Sequence, residues 1–190
     1  MEKINIRMAD KNDASEILDI YSYYVINTPF TFEYTVPSIL EFEKRIENVL
    51  EKYPYIVAEK NGKIVGYTYA SPFKARSAYD WSVETSIYVG NDFKRLGIGR
   101  LLYESLERIL KKQNVINLVA CITYPNSKSI SFHEHFGYVE SARVKNIGYK
   151  FGKWHDVVWL QKSISEHFAE PKKIIPISEM DVSEIFQNIK

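Results

Sequence analysis

A chain of 190 residues and 22.2 kDa has the length of one domain, or of one domain with an appendage, and can bury a substantial core. Twenty-five Lys and Arg against 24 Asp and Glu leave a formal charge of +1, which removes bulk electrostatics as an argument for nucleic acid or an anionic membrane as partner. A single cysteine, Cys121, excludes an internal disulfide and a thiolate metal site; with no apolar leader after Met1 and no run long enough to cross a bilayer, the sequence reads as cytoplasmic.

Ile4 and Ile6 alternate with polar neighbours before Arg7, the pattern of a short edge strand. Asp13 and Glu16 stand at capping-box spacing ahead of Ile17, Leu18, Ile20, Tyr21, Tyr24 and Val25, which recur at helical intervals. Residues 27–37 read as an aromatic, Thr-rich loop. Ser38 and Glu41 then repeat the capping signature before a second amphipathic helix through Phe42, Ile46, Val49 and Leu50. Asn61-Gly62, between strand-like runs over 55–59 and 64–69, predicts a two-residue hairpin. A polar loop over 74–80 leads into a strand over 81–89, a turn over 90–97 and a helix over 98–112, whose Lys111 and Lys112 suit the negative end of its dipole.

Residues 116–122 are apolar apart from Asn117, which predicts a central strand covered on both faces, with Cys121 inside it as a buried, inert thiol. Pro125-Asn126-Ser127 opens a short helix closed by Gly137, and 138–144 and 155–160 supply two last strands. The order is β-α-α-β-β-β-α-β-α-β-β, with no repeat. Beyond Ser163 the chain turns polar, and a last amphipathic piece is expected over 178–189. This divides the chain into a domain over 1–163 and an extension over 164–190, packed on the domain or on a partner subunit.

The chemistry concentrates where the strand over 82–89 turns into the helix opening at Gly97-Ile98-Gly99. Unpaired amides beside the positive end of a helix dipole form a phosphate cradle, and glycines let the backbone approach the anion. The nucleotide P-loop pattern is absent, and the dinucleotide fingerprint meets Leu102 where its last glycine belongs. An acyl-CoA loop, with a long polar residue three positions ahead of G-x-G, fits Lys94-Arg95-Leu96-Gly97-Ile98-Gly99.

That loop is accompanied by Pro72-Phe73-Lys74-Ala75-Arg76-Ser77-Ala78-Tyr79-Asp80-Trp81, by Val83-Glu84-Thr85-Ser86-Ile87-Tyr88-Val89, by Pro125-Asn126 with Ser129 and His133-Glu134, and by Gly152-Lys153-Trp154-His155-Asp156. On these residues the chain resembles the GNAT superfamily over 4–163, specifically its phosphinothricin-type N-acetyltransferases. Lys94 departs from the usual Gln or Arg, but backbone amides carry most of the anion binding there and Lys still supplies a cation. The resemblance implies an α/β (α+β) fold. Its mixed, mostly antiparallel sheet of six to seven strands would be flanked by helices and splayed beside the fourth strand to admit acetyl-CoA. It further implies that Ile87, Tyr88 and Val89 pair with the pantetheine arm, that Arg95, Leu96, Gly97, Ile98, Gly99 and Arg100 hold the pyrophosphate, and that Asn126 and Ser129 reach the arm. Asn126 reads equally well as a helix N-cap.

An amine attacks a thioester only after losing its proton, so the reaction needs a base. Glu84 is the candidate: it lies on a strand expected to be buried, where its pKa would rise, and it aligns with the glutamate assigned as base in the resembling family. The alternative is a solvated or salt-bridged carboxylate. A backbone N–H over 87–89 would serve a developing oxyanion. Tyr103 and His133 are candidates to protonate the leaving thiolate or to support the site, with core packing as the plain alternative. Lys74 and Arg76 are placed to grip an acidic acceptor, with Phe30, Phe32 and Tyr34 as an apolar wall and Thr85 and Ser86 beside the base; a solvated loop and ordinary packing explain the same residues.

The acceptor implied is a small amino acid or analogue bearing a phosphinyl, sulfone or sulfoximine group. A polyamine or protein N-terminus would share the donor, but Lys74 and Arg76 disfavour a polycation. A non-catalytic CoA-binding regulatory module would have no need of Glu84. No metal is expected, since His133-Glu134-His135 lacks the i, i+4 spacing of a helical zinc site. A homodimer is the expected assembly, with no nucleic acid and no membrane as partner.

Overall fold

The computed structural model describes residues 4–187. Its strands are β1 (Asn5–Met8), β2 (Tyr55–Lys60), β3 (Lys63–Pro72), β4 (Ser82–Val89), β5 (Asn117–Tyr124), β6 (Val139–Lys150) and β7 (Lys153–Ser163). The helices are α1 (Ala14–Asn27), α2 (Ile39–Leu50), α3 (Ile98–Lys112), α4 (Ser127–His135) and a short α5 (Ser183–Gln187). The seven strands form one sheet in the order β1-β2-β3-β4-β5-β7-β6, antiparallel everywhere except between β4 and β5. The sequence-derived order of elements and the mixed, splayed sheet both hold.

The sheet buries its two faces unequally. Val83, Ala70, Leu118, Ala120, Val158 and Leu160 point to one side and pack against Ile98, Leu102, Leu106 and Ile109 of α3. Toward the other side, Tyr55, Val57 and Tyr67 pack beneath Ile17, Tyr21 and Val25 of α1 and Phe42 and Ile46 of α2. That cover does not extend over β5 and β7. Cys121 and Gln161 are exposed on that face, while Val119, Thr123 and Val157 on the same face are buried, so β5 is covered on both sides except at Cys121, and the buried-thiol expectation for Cys121 is corrected.

Local signals were partly right. The hairpin turns at Asn61 and Gly62 with φ of 54° and 75°, and the Ser38 side chain accepts from Glu41 N (3.2 Å) to start α2. The capping box ahead of α1 is built instead from Asp10 and Asp13, around a 3-10 turn over Lys11–Asp13. Asp13 is also clamped by Arg7 (2.7 and 2.8 Å), and Glu16 leaves its helix to accept from Ile64 N (2.8 Å). β6 and β7 run further toward each other than expected and join through Phe151-Gly152, with φ of 51° and 74°.

After Ser163 the chain straps back over the domain. Trp81 Nε1 donates to Lys172 O (2.7 Å), Gln113 Nε2 donates to both Lys52 O (2.8 Å) and Ile175 O (2.7 Å), and Ile177, Val182 and Ile185 are buried in the α3 core. The helix expected over 178–189 is a 3-10 turn, Ile177–Glu179, followed by α5; Ile189 lies outside the described residues. Among the described residues no helix is long and apolar enough to cross a membrane. Ile177→Ala leaves a cavity at the strap's anchor and should cost about 2–4 kcal/mol, measured as a shift in the urea midpoint with an unchanged slope.

Candidate active site

β4 and β5 pair in register where Ser82, Val83 and Glu84 face Asn117, Leu118 and Val119, and the Thr85 hydroxyl adds a bond to Val119 O (3.3 Å). Beyond that point the two strands part. Thr85 to Val89 stay paired with β3 on their other side, so the edge of β4 that faces β5 is left without a strand partner. Tyr24 donates its hydroxyl to Val89 O (2.7 Å), which ties the far end of that edge to α1.

β4 then leads into the loop that opens α3. Arg95 and Gly97 both adopt positive φ, 68° and 78°, ahead of Ile98. Leu101 N is the first α3 amide to bond back, to Gly97 O, so the amides just before it stand open at the positive end of the dipole. Gly97 is required by its backbone angle, and a Cβ there would meet open space. Gly99 has a different reason from the one expected: a Cβ would come within 3.2 Å of the Phe132 ring, so this glycine admits α4 to α3. Lys94 bends back over the rings of Tyr23 and Tyr24 (5.6 and 5.3 Å) and donates to Asn91 Oδ1, while Arg100 is ion-paired with Glu104 on the helix surface. The cradle is therefore made of backbone. Asn126 caps α4 by accepting from Ser129 N (3.3 Å).

Glu84 is the last residue of β4 paired with β5, half-buried on the open face of the sheet. Burial raises its carboxyl above the ordinary range, and the Lys74 ammonium pulls it part of the way back. Lys74 lies 5.2 Å from the ring centroids of both Phe73 and Trp159, which pack edge to face. Arg76 sits exposed in the loop beyond. Cys121 pairs with Trp159 across β5 and β7, and partial desolvation by its neighbours, with the Glu84 charge, pushes its thiol up to about 11. Ser71 and Ser86 are the register partners of Glu84 and Tyr69, so these side chains share its face, whereas Thr85 points to the α3 side. Phe73, Trp159, Tyr69, Ser71 and Cys121 were not assigned to the site from sequence; the alternation of odd positions along β3 carried the signal for Tyr69 and Ser71.

Tyr103 and His133 are buried behind β4. The Tyr103 hydroxyl is 3.0 Å from Thr85 Oγ1 and 2.7 Å from His133 Nε2, and His133 Nδ1 donates to Ser129 O (2.8 Å). That bond leaves Nε2 as the acceptor of the Tyr103 proton. Burial raises the Tyr103 pKa and lowers that of His133. The pair links α3, α4 and the residue next to Glu84.

The loop between α1 and α2 is held over the open face from the far end of the sheet. Lys150, buried at the tip of the β6–β7 hairpin, donates to Val25 O (2.7 Å) and Thr31 O (2.8 Å). Tyr34 donates to Tyr149 O, and Phe32 lies against Gly148, where a Cβ would fall 2.2 Å from its ring. Phe30 and Tyr34 are exposed. Phe32 is thus the part of the expected aromatic wall that is seated.

An open sheet edge, open amides at the start of the next helix and a half-buried carboxylate come together at the fork between β4 and β5. Residues 6–159 match the sequence model of the Acetyltransferase (GNAT) domain, and the chain belongs to that family of acyltransferases. It is 35% identical over 177 residues to a phosphinothricin N-acetyltransferase of Streptomyces viridochromogenes, covering 93% of this chain and 96% of that one. It is 30% identical to an L-methionine sulfoximine/L-methionine sulfone acetyltransferase of Salmonella typhimurium, over 87% and 98% of the two chains. A solved GNAT superfamily phosphinothricin acetyltransferase from Sinorhizobium meliloti, in complex with AcCoA, superposes with a TM-score of 0.86 at 32% identity, covering 92% and 97%.

Lys150→Met removes the donor from two carbonyls and should cost about 1–3 kcal/mol. Chymotrypsin would then cut at Phe30, Phe32 or Tyr34 faster than in the parent; equal cleavage rates would show that Lys150 does not hold the loop.

Proposed function

We propose that the protein transfers an acetyl group from acetyl-CoA to the α-amine of a small amino-acid-like acceptor, with Glu84 taking the proton from that amine. The position of Glu84 carries the reading. It is the residue at which β4 leaves β5, its carboxyl is raised toward neutrality by burial, and it faces the open side of the sheet. Acetyl-CoA supplies the acyl thioester. The freed edge of Thr85 to Val89 offers backbone groups to a pantetheine arm, and the amides from Arg95 to Arg100 suit a pyrophosphate. Lys74 holds the acceptor's carboxylate against the Phe73 and Trp159 rings, and the relatives' acceptors, phosphinothricin and methionine sulfoximine or sulfone, are amino-acid analogues of this shape. Tyr103 and His133 support the fork from behind through Thr85. The high thiol pKa of Cys121 favours direct transfer over an acyl-cysteine.

Glu84→Gln should retain acetyl-CoA binding by calorimetry and lose about 10²–10⁴-fold in turnover. In the parent, kcat/KM should fall toward acid along a limb set above the ordinary carboxylate range, because only the ionised form accepts the proton; the variant should lack that limb. A carboxyl raised by folding stabilises the native state below its unfolded pKa and loses that contribution as pH rises through its folded pKa, so the variant should melt no lower than the parent at neutral pH. Full turnover in Glu84→Gln would end the assignment.

The assembly belongs to the same reading. β6 is an edge strand with Val139, Val144, Ile147 and Tyr149 exposed, and near its start it carries Glu140 and Arg143, which ion-pair with each other. Antiparallel pairing with its own copy would satisfy the free edge and cover its exposed apolar side chains, giving a homodimer. Val144→Glu should shift the sedimentation coefficient from dimer to monomer; a monomeric parent at micromolar concentration would overturn the homodimer.

A further inference from the structure

Beside Glu84 the open face deepens into a side cavity of about 350 Å³, within the range of small-molecule sites. Its floor is Tyr55, Tyr67, Tyr69 and Ser71, and its roof belongs to α2. The three tyrosine rings stack at interplanar angles of 9° to 14°. The cavity begins at the base: Ser71 faces Glu84 across β3 and β4, and Tyr69, facing Ser86, feels the Glu84 charge. An acceptor with its amine at Glu84 and its carboxylate at Lys74 has this cavity left for its side chain.

The charges around the cavity are already matched. Arg45 is the cation of its lining, and its two terminal nitrogens are held by Glu33 (2.6 Å) and Glu41 (2.5 Å). Lys150, on the far side of Glu33, spends its ammonium on Val25 O and Thr31 O. An anionic side chain entering here would shed its water among tyrosine rings and find no free counter-charge. A neutral side chain loses little, and a polar neutral one can accept from tyrosine hydroxyls.

We infer that the tyrosine-floored cavity receives the acceptor's side chain and selects neutral side chains, such as sulfone, carboxamide or aromatic groups, over phosphinate and carboxylate. This rests on the acetyl-transfer reading above.

Acceptors matched in shape and different in charge test it on the parent enzyme. Thiol release is followed with methionine sulfone against phosphinothricin, and with glutamine against glutamate. The neutral member of each pair should show kcat/KM higher by roughly tenfold or more. Asn48, exposed on α2 at the cavity wall, allows a filling substitution: Asn48→Trp should raise KM for methionine sulfone by more than it raises that for alanine. Equal or better use of the anionic acceptors, or a KM that moves equally for methionine sulfone and alanine, would overturn the inference and leave acetyl transfer standing. No thiol release with any amino acid would overturn acetyl transfer itself, and this selection with it.

Discussion

The parting of β4 from β5 is the constraint on which the rest of the molecule turns. Three paired residues hold the strands parallel, after which β4 must reach the start of α3 while β5 runs on toward α4. A sheet edge in the middle of a protein ordinarily carries unpaired amides and carbonyls at a cost. Here the edge of β4 from Thr85 to Val89 lacks a strand partner beside the fork. The open amides at Arg95 to Arg100 follow directly in sequence, and Glu84 sits at the vertex where the two strands still touch. The open amides, the free edge and the half-buried carboxylate therefore lie within one strand, turn and helix start.

The unequal cover of the sheet sets the chemistry on that fork. On the α3 side the strands are tightly filled, and Tyr103, His133 and Thr85 are buried there and hydrogen-bonded. On the other side α1 and α2 stop short, so Glu84 meets solvent on one flank and protein on the other. That half-burial raises its pKa without locking it in an ion pair. The same opening exposes Cys121 and leaves Trp159 and Phe73 as apolar surface beside Lys74. A loop held by Lys150 from the opposite end of the sheet closes the region from above. The site thus draws on parts of the chain more than a hundred residues apart.

Signals that act within a few residues were legible. Asn61-Gly62, the Ser38 cap and the face of α3 follow from local backbone and hydrophobic physics, and each stands where the sequence puts it. The failures share a cause. Asp13 and Glu16 have capping spacing, but Arg7 and the Ile64 amide compete for them across the sheet and win. Phe151 has no turn propensity, yet it takes positive φ because β6 and β7 are paired on both sides of it. Gly148 gives no sign in sequence that Phe32 will lie on it. The tail was expected to pack on the domain or on a partner subunit; Ile177, Val182 and Ile185 choose the domain, and their partners come from helices and strands far earlier in the chain.

The sequence by itself determined the order of elements, the backbone cradle ahead of Ile98 and the identity of the carboxylate on β4, since periodicity, glycine placement and motif spacing are properties of neighbouring residues. Only the tertiary structure decided that Lys94 and Arg100 turn to partners of their own, that β5 is open at Cys121, and that a tyrosine-floored cavity adjoins Glu84. Those features depend on which strands pair, which faces the helices leave bare and where opposite charges meet, and long-range contacts of that kind leave no local pattern to read.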